Sequence, residues 1–140
     1  MTTIRVPYGR SSVEANLPDD VTVDVVELGE VDPAADPAGE ARRALGEPIG
    51  GFAWRTASSV AIAVNDKTRP VPHGHLLPPL LEQLAAAGID DDAITFYVAV
   101  GGHAPMEASE FPEILPAEVL ARYRVVSHDA RSGDLTVLGE

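Results

Sequence analysis

The 140 residues, of which 45% are hydrophobic, are enough for one ordinary folded domain, and we expect a single domain over residues 1–140. The formal net charge of −12 disfavours nucleic acid and anionic membranes as partners, and the absence of cysteine excludes disulfides and thiolate metal sites. No apolar run approaches the roughly 20 residues that span a bilayer and no signal pattern opens the chain, so we expect a cytoplasmic protein.

The first third of the chain predicts a hairpin, a strand and a helix. Thr3–Val6 and Val13–Leu17 have short strand patterns on either side of a turn at Tyr8–Ser11, which predicts an N-terminal β-hairpin. Val21–Leu28 predicts a further strand. A loop rich in Asp, Ala and Pro then leads to a predicted helix over Pro37–Leu45.

Two irregular stretches flank the middle of the chain. Glu47–Ser58 has too many turn residues for regular structure and predicts a loop with one short helical turn. Trp54 lies inside this loop, and we interpret it as packing against the core or a subunit rather than as a ligand wall. The acidic run Asp90–Asp92 predicts a solvated loop that starts a strand.

The middle of the chain predicts a strand, a helix and a second strand. Val60–Val64 and Ala93–Val100 are continuous apolar runs, which is typical of parallel strands that are buried on both faces. His75–Ala87 carries leucines at helical spacing, and a proline pair places the secure start of that helix near Leu80. Strand, helix and strand together predict a right-handed parallel crossover.

The last third predicts two short helices followed by two short strands. The helices are expected over Met106–Glu110 and Pro116–Tyr123, and the strands over Arg124–Ser127 and Leu135–Leu138. The order of these elements predicts an α/β fold. We expect a Rossmann-like, mostly parallel sheet flanked by helices, with the β-hairpin at the N-terminus.

Polar side chains follow both of the apolar strands. Asp66–Arg69 comes directly after the first strand, and the loop of Gly101, Gly102 and His103 comes after the second. Because the carboxyl ends of parallel strands meet at one edge of a sheet, we expect the two loops to converge there. The two glycines remove bulk, so a ligand or cofactor can approach the main chain beside His103.

Each polar residue of these loops is suited to a chemical role. Arg69 can hold a carboxylate with two parallel hydrogen bonds. His103 carries an imidazole, which can move a proton to or from a substrate hydroxyl. Asp66 can accept hydrogen bonds from a ribose or orient a neighbouring cation, and Thr68 can bind a phosphate oxygen.

Structural interpretations compete with these functional ones. Asp66 and Thr68 also match a strand-to-turn cap, and His103 can be a surface histidine without a role. His73 and His75 can be read as a metal pair, but a solvated loop is the preferred interpretation, and we predict no metal site on this chain.

Four segments together resemble the N-terminal domain of the nickel-dependent lactate racemase family. They are the VPYG opening, the EPIG segment, the NDKTRPVP loop and the GGHAPM loop, at Val6–Gly9, Glu47–Gly50, Asn65–Pro72 and Gly101–Met106. They follow in order along nearly the whole chain. The Asp-x-Thr-Arg-Pro-x-Pro pattern after a buried strand is the most specific of them.

The resemblance implies an activity and a cofactor. Enzymes of the family use a nickel pincer nucleotide, attached to a lysine, to remove and return hydride at the carbon that bears a 2-hydroxyl group, with two histidines as acid and base. By resemblance His103 is one of these histidines and Arg69 contacts the substrate, a small 2-hydroxyacid. Asp66 and Thr68 would lie beside the nucleotide part of the cofactor, with Gly101 and Gly102 nearby.

The chain also departs from the family pattern. Ala104 stands where an arginine usually follows the loop histidine, which bears on whether lactate itself is the substrate. The second domain is missing, with the cofactor lysine, the nickel-binding histidine and the second acid–base histidine, and Lys67 lies in the wrong motif to replace that lysine. We therefore expect a chain that is inactive alone. Its bare ending favours the N-terminal half of a longer enzyme over a separately encoded subunit.

Three hypotheses follow for the function. The first is the N-terminal domain of a 2-hydroxyacid racemase or epimerase, joined to a C-terminal domain or partner chain that covers its cleft, or to a second copy in a homo-oligomer. The second is a non-catalytic module that holds a nucleotide or a carboxylate on the Asp66–Arg69 loop. The third is an assembly role for Trp54 and the N-terminal hairpin.

Overall fold

The computed structural model of the protein describes residues 2–27, 29–51, 54, 57–133 and 136. The chain divides into two compact units, Met1–Asp32 and Pro33–Glu140, and the expectation of one domain over residues 1–140 stays a prediction. Within the described ranges, no helix is long and apolar enough to cross a membrane.

The first unit contains the predicted hairpin. Strands β1 (Thr2–Tyr8) and β2 (Ser11–Leu17) pair antiparallel around a turn in which Gly9 has a φ of +58°. Cross-strand hydrogen bonds, such as Thr3 to Asn16 at 2.7 Å, line the polar face of the hairpin. The hairpin is therefore confirmed.

The strand predicted over Val21–Leu28 is wrong for the part that the structure describes. Residues 21–27 have no regular structure, and Leu28 lies outside the described residues. Val25 and Val26 are 74% and 91% exposed. A β-branched run becomes a strand only when it pairs and packs, so the local preference of these valines is not enough.

The second unit starts with the predicted helix. Helix α1 spans Pro37–Gly46, and the Asp36 side chain caps it by accepting a hydrogen bond from the Gly39 amide at 2.9 Å. Asp36 and the proline at the first helical position are both typical of a helix start. A short 3₁₀ turn lies at Ile49–Gly51 in the following loop, where a helical turn was expected, but Gly50 has a φ of +78° and is not helical.

A three-stranded parallel sheet forms the centre of the second unit. Its strands are β3 (Val60–Asn65), β4 (Ile94–Ala99) and β5 (Arg124–Ser127), in that order. Both pairs are parallel, with Val64 opposite Val98 in the first pair. The predicted α/β fold, with a parallel sheet, flanking helices and an N-terminal hairpin, is confirmed.

The apolar runs predicted that the two central strands are buried on both faces, and this prediction is wrong. Val64, Phe96 and Val98 are buried on one face of the sheet. On the other face Ala63 is exposed and Tyr97 is 41% exposed. The sequence run shows only that both faces are apolar, and it cannot show whether a second layer covers them.

Helix α2 begins earlier than predicted. It spans His73–Ala86, with Pro78 and Pro79 in its interior, so the expected secure start near Leu80 is wrong. Proline in a helix interior removes a hydrogen bond at a cost of about 3 kcal/mol. Leu77, Pro79 and Leu84 are buried on this helix, and the burial of these apolar side chains offsets the cost.

Short elements complete the second unit. A 3₁₀ helix at Ala108–Glu113 and helix α3 (Ala117–Arg122) confirm the two predicted helical segments approximately, and α3 buries Val119 in the core. The predicted solvated loop contains instead a 3₁₀ turn, in which Asp91 accepts hydrogen bonds from Arg122 and Tyr123. The strand predicted over Leu135–Leu138 lies outside the described residues, apart from Thr136.

Candidate active site

The loops that follow β3 and β4 meet at the carboxyl edge of the sheet. His103 Nδ1 lies 2.5 Å from the Oδ2 atom of Asp66, although 37 residues separate the two along the chain. The parallel pairing of β3 and β4 brings the two loops to the same edge. The predicted convergence of the loops is therefore confirmed.

Asp66 is the centre of this arrangement. It is only 4% exposed, and its Oδ1 atom accepts hydrogen bonds from the Thr68 hydroxyl at 2.6 Å and from the Thr68 amide at 3.1 Å. The Arg69 amide donates to the Asp66 carbonyl at 3.1 Å. The cap interpretation of Asp66 and Thr68 is thus present together with the contact to His103, since each uses a different carboxylate oxygen.

The hydrogen bonds to Asp66 determine its protonation. The bond from His103, and after it the bond from the Thr68 hydroxyl, lowers the pKa of Asp66 below its usual value. An ionised carboxylate can only accept, so the Nδ1 atom of His103 carries the hydrogen. The Nε2 atom of His103 is then the nitrogen that can take up a proton from a ligand.

A pocket of about 220 Å³ lies beside this pair. Gly101 has a φ of +60°, a conformation that side-chain-bearing residues rarely adopt, and a Cβ atom at Gly101 or Gly102 would meet open space. The glycine loop therefore leaves its backbone open to the pocket. The described residues that line the pocket are Asn65, Asp66, Arg69, Ala99, Val100, Gly101, Gly102 and His103.

Arg69 is the accessible cation of this site. It is exposed, and among the described residues no carboxylate forms an ion pair with its guanidinium. Lys67, by contrast, forms an ion pair with Glu110. Arg69 also lines a second pocket of about 500 Å³, together with Lys67, Pro70, Val71, Pro72, His73, Glu113 and Ile114.

Thr68 and the two histidines of α2 are not among the described residues that line the His103 pocket. Thr68 directs its hydroxyl to Asp66. His73 is buried, with Nδ1 2.8 Å from the Ile114 carbonyl, so a solvated loop is the wrong interpretation for it, whereas His75 is exposed. The described residues contain no group of three or more His, Asp or Glu side chains that could hold a metal ion.

Trp54 packs against other residues of the second unit. It is half-buried against the hydrophobic core, and its Nε1–H donates to the Leu45 carbonyl at 3.0 Å. This contact favours the interpretation of Trp54 as a packing residue.

Comparison with known proteins gives the family. Residues 8–140 match the family described as the lactate racemase N-terminal domain. The chain belongs to this family. The match includes the Asp66–Arg69 loop, the Gly101–His103 loop and all three strands of the parallel sheet.

The chain is also similar to the lactate racemase of one organism, both in sequence and in structure. The chain is 25% identical to the lactate racemase of Thermoanaerobacterium thermosaccharolyticum over 140 residues, which is 96% of the chain and 33% of that protein. It is also similar to the structure of the lactate racemase apoprotein from the same organism, with 26% identity and a TM-score of 0.67 over 93% of this chain and 31% of that one. This member of the lactate racemase N-terminal domain family therefore spans about a third of the length of these relatives.

Sequence reasoning missed three residues that line the His103 pocket of this family member, namely Asn65, Ala99 and Val100. Asn65 and Ala99 are the last residues of β3 and β4, and they lie opposite each other in the register. Their position at the strand ends was the available signal. The Lys67–Glu110 ion pair was also missed, because 43 residues separate its partners.

The lowered pKa of Asp66 predicts a pH-dependent contribution to stability. A carboxyl whose pKa is lower in the folded state stabilises the fold above its unfolded pKa of about 3.9, and this stabilisation is lost as the pH falls through the folded value. We expect Asp66→Asn to lower the melting temperature by a few degrees at neutral pH and by progressively less in acid. Thermal unfolding followed by circular dichroism across a pH series measures this.

Asp129→Asn is the matched control for Asp66→Asn. The Asp129 carboxylate accepts a hydrogen bond from the Arg131 amide at 2.9 Å and lies outside the His103 pocket. We expect it to change the melting temperature by less than Asp66→Asn does at neutral pH. A difference between parent and Asp66→Asn that stays constant down to the lowest pH would contradict the prediction.

Proposed function

We propose that this chain is the part of a 2-hydroxyacid racemase or epimerase that supplies one acid–base histidine, His103, and the substrate-binding arginine, Arg69. The observation that carries the proposal is the 2.5 Å contact of His103 with Asp66 in a pocket that Arg69 also lines. Membership of the lactate racemase N-terminal domain family supports the reaction class.

The proposed roles follow from the chemistry of the side chains. Arg69 binds the substrate carboxylate with two parallel hydrogen bonds, which fix the orientation of the acid as well as its charge. His103 accepts the proton of the 2-hydroxyl group on Nε2 in one direction of the reaction and donates a proton in the reverse direction. Asp66 holds the imidazole by its Nδ1–H and stabilises the positive charge that His103 then carries.

The proposed cofactor is the nickel pincer nucleotide of the family, which supplies hydride removal and return at the carbon that bears the hydroxyl. The described residues of this chain contain no cluster of three or more side chains that could hold a metal ion, and Lys67, the chain's one lysine, is in an ion pair with Glu110. The chain therefore does not fit the role of cofactor carrier. In the proposal, nickel and the cofactor lysine would come from further polypeptide, and Asp66, Gly101 and Gly102 would border the nucleotide part of the cofactor.

The substrate class is a small 2-hydroxyacid. The pocket of about 220 Å³ has a size that suits a small acid rather than a polymer. Ala104 stands where the family usually has an arginine, so lactate is one candidate among the acids of this class. A cytoplasmic location is proposed together with this metabolic role.

The experiment that tests the proposal is reconstitution. The chain is combined with the part of the T. thermosaccharolyticum lactate racemase that it does not match, loaded with cofactor, and the interconversion of the two lactate enantiomers is measured. His103→Ala is expected to lower the rate by about 10²- to 10⁴-fold, because general acid–base catalysis contributes about this much.

His75→Ala serves as the control, since His75 is exposed on α2 and does not line the pocket. We expect it to keep the parent rate. A His103→Ala variant that racemises as fast as the parent would refute the assigned role. If lactate gives no turnover, the same comparison is made with larger 2-hydroxyacids, and failure with all of them counts against the proposal.

A non-catalytic binding module is the second candidate. The exposed guanidinium of Arg69, which forms no ion pair with any described carboxylate, favours it. Calorimetric titration with nicotinic acid mononucleotide and with lactate separates the two. Binding that survives His103→Ala but not Arg69→Ala, without any turnover in the reconstituted assembly, indicates a module.

A further inference from the structure

The parallel sheet has one covered face and one exposed face. Side chains of α2 and α3 pack with Val64, Phe96 and Val98 in a single hydrophobic core. The alternate residues of the three strands form the other face, which we call the open sheet face. It consists of Ala61, Ala63, Asn65, Thr95, Tyr97, Ala99, Arg124 and Val126.

The open sheet face is mostly apolar. Six of its eight residues are exposed, and the other two, Thr95 and Val126, are half-buried. Three of the exposed residues are alanines, which allow another element to approach the sheet closely, and Arg124 is the one charged residue of the face. Purely parallel sheets in α/β proteins are covered on both faces, usually by helices, and an exposed apolar patch of this kind marks an interaction site.

This face continues into the His103 pocket. Asn65 and Ala99 belong to the open sheet face and also line the pocket. Any polypeptide that covers the face therefore reaches the wall of the candidate active site. That is the position from which further polypeptide can bring a cofactor towards His103.

We infer that the open sheet face docks the remaining part of a lactate racemase-like polypeptide, which covers it with the apolar side of one or more helices; this inference rests on the proposed function. The relatives carry about two thirds of their length outside the region that this chain matches. A second copy of the chain is the less suitable occupant. Each copy has a formal net charge of −12, and two such copies repel each other.

The test measures complex formation by mass, without reference to activity. The chain is mixed with the part of the T. thermosaccharolyticum lactate racemase that it does not match, and size-exclusion chromatography with light scattering gives the stoichiometry. We expect a one-to-one complex. Tyr97→Glu is expected to weaken the complex at least about tenfold, because it places a charge in the centre of a buried interface.

Leu76→Glu is the matched control. Leu76 is 42% exposed and Tyr97 is 41% exposed, but Leu76 lies on α2, away from the open sheet face. We expect Leu76→Glu to leave the dissociation constant unchanged. Ala63→Arg is a second variant on the open sheet face, on the neighbouring strand, and is expected to weaken the complex as Tyr97→Glu does. Circular dichroism verifies that each variant is folded.

Three results would overturn the inference: no complex, a complex that tolerates both Tyr97→Glu and Ala63→Arg, or a dimer of the chain alone that Tyr97→Glu dissociates. The outcome is separable from that of the proposed function. A Tyr97-dependent complex that has no racemase activity supports the docking face and counts against the enzyme. Racemase activity in a complex that is insensitive to both face variants supports the enzyme and counts against the docking face.

Discussion

Replacing Arg69 by alanine is expected to weaken the binding of lactate to this chain by about 10- to 100-fold. A hydrogen bond that involves a charged group contributes about 1.5–3 kcal/mol, and 1.4 kcal/mol corresponds to a factor of ten in the dissociation constant. The guanidinium has no ion pair with any described residue, so its donors are available to the ligand. Nuclear magnetic resonance titration of the folded chain measures the dissociation constant.

Two further variants give this prediction its controls. Arg69→Lys keeps the charge but loses the planar pair of donors, so we expect an intermediate affinity. Arg42→Ala removes an exposed arginine on α1 whose partner is Glu82, and we expect it to leave lactate binding unchanged. A parent chain that does not bind lactate, or an Arg42→Ala variant that loses as much affinity as Arg69→Ala, would show that Arg69 does not hold the carboxylate.

Much of the site could be predicted because parallel strands impose it. Two apolar runs separated by a helical pattern predict parallel neighbours, and parallel neighbours end at the same edge. This placed Arg69 and His103 beside one pocket. The direct bond from His103 to Asp66 depends on side-chain rotamers and on the Thr68 turn, which no spacing rule specifies.

The fold was predictable where local pattern and packing agree, as in the hairpin, helix α1 and strand β5. The prediction was wrong where a tertiary contact, or the lack of one, decided which secondary structure formed. Burial of Pro79 extends α2 through its proline pair, and exposure of Val26 shows that a β-branched run without a partner forms no strand. The sequence also could not show that one sheet face is exposed, because an exposed apolar residue and a buried one give the same sequence pattern.

The largest effect on stability is expected at Phe96. Its side chain is fully buried on β4, and its ring packs edge to face against Tyr123 with the ring centroids 5.6 Å apart. Phe96→Ala removes this contact and leaves a cavity, so we expect the free energy of unfolding to fall by about 3–5 kcal/mol. Urea denaturation followed by circular dichroism measures the loss.

The adjacent residue provides the control, because strand geometry sends it to the opposite face. Tyr97→Ala removes a ring of similar size from the open sheet face, where it is 41% exposed, so its loss should be much smaller than that of Phe96→Ala. Phe96→Leu keeps most of the volume and remains measurable if the alanine variant does not fold. Equal losses for Phe96→Ala and Tyr97→Ala would mean that both faces are covered in the isolated chain. The described core would then be incomplete, and the open sheet face would have no vacant surface to offer a partner.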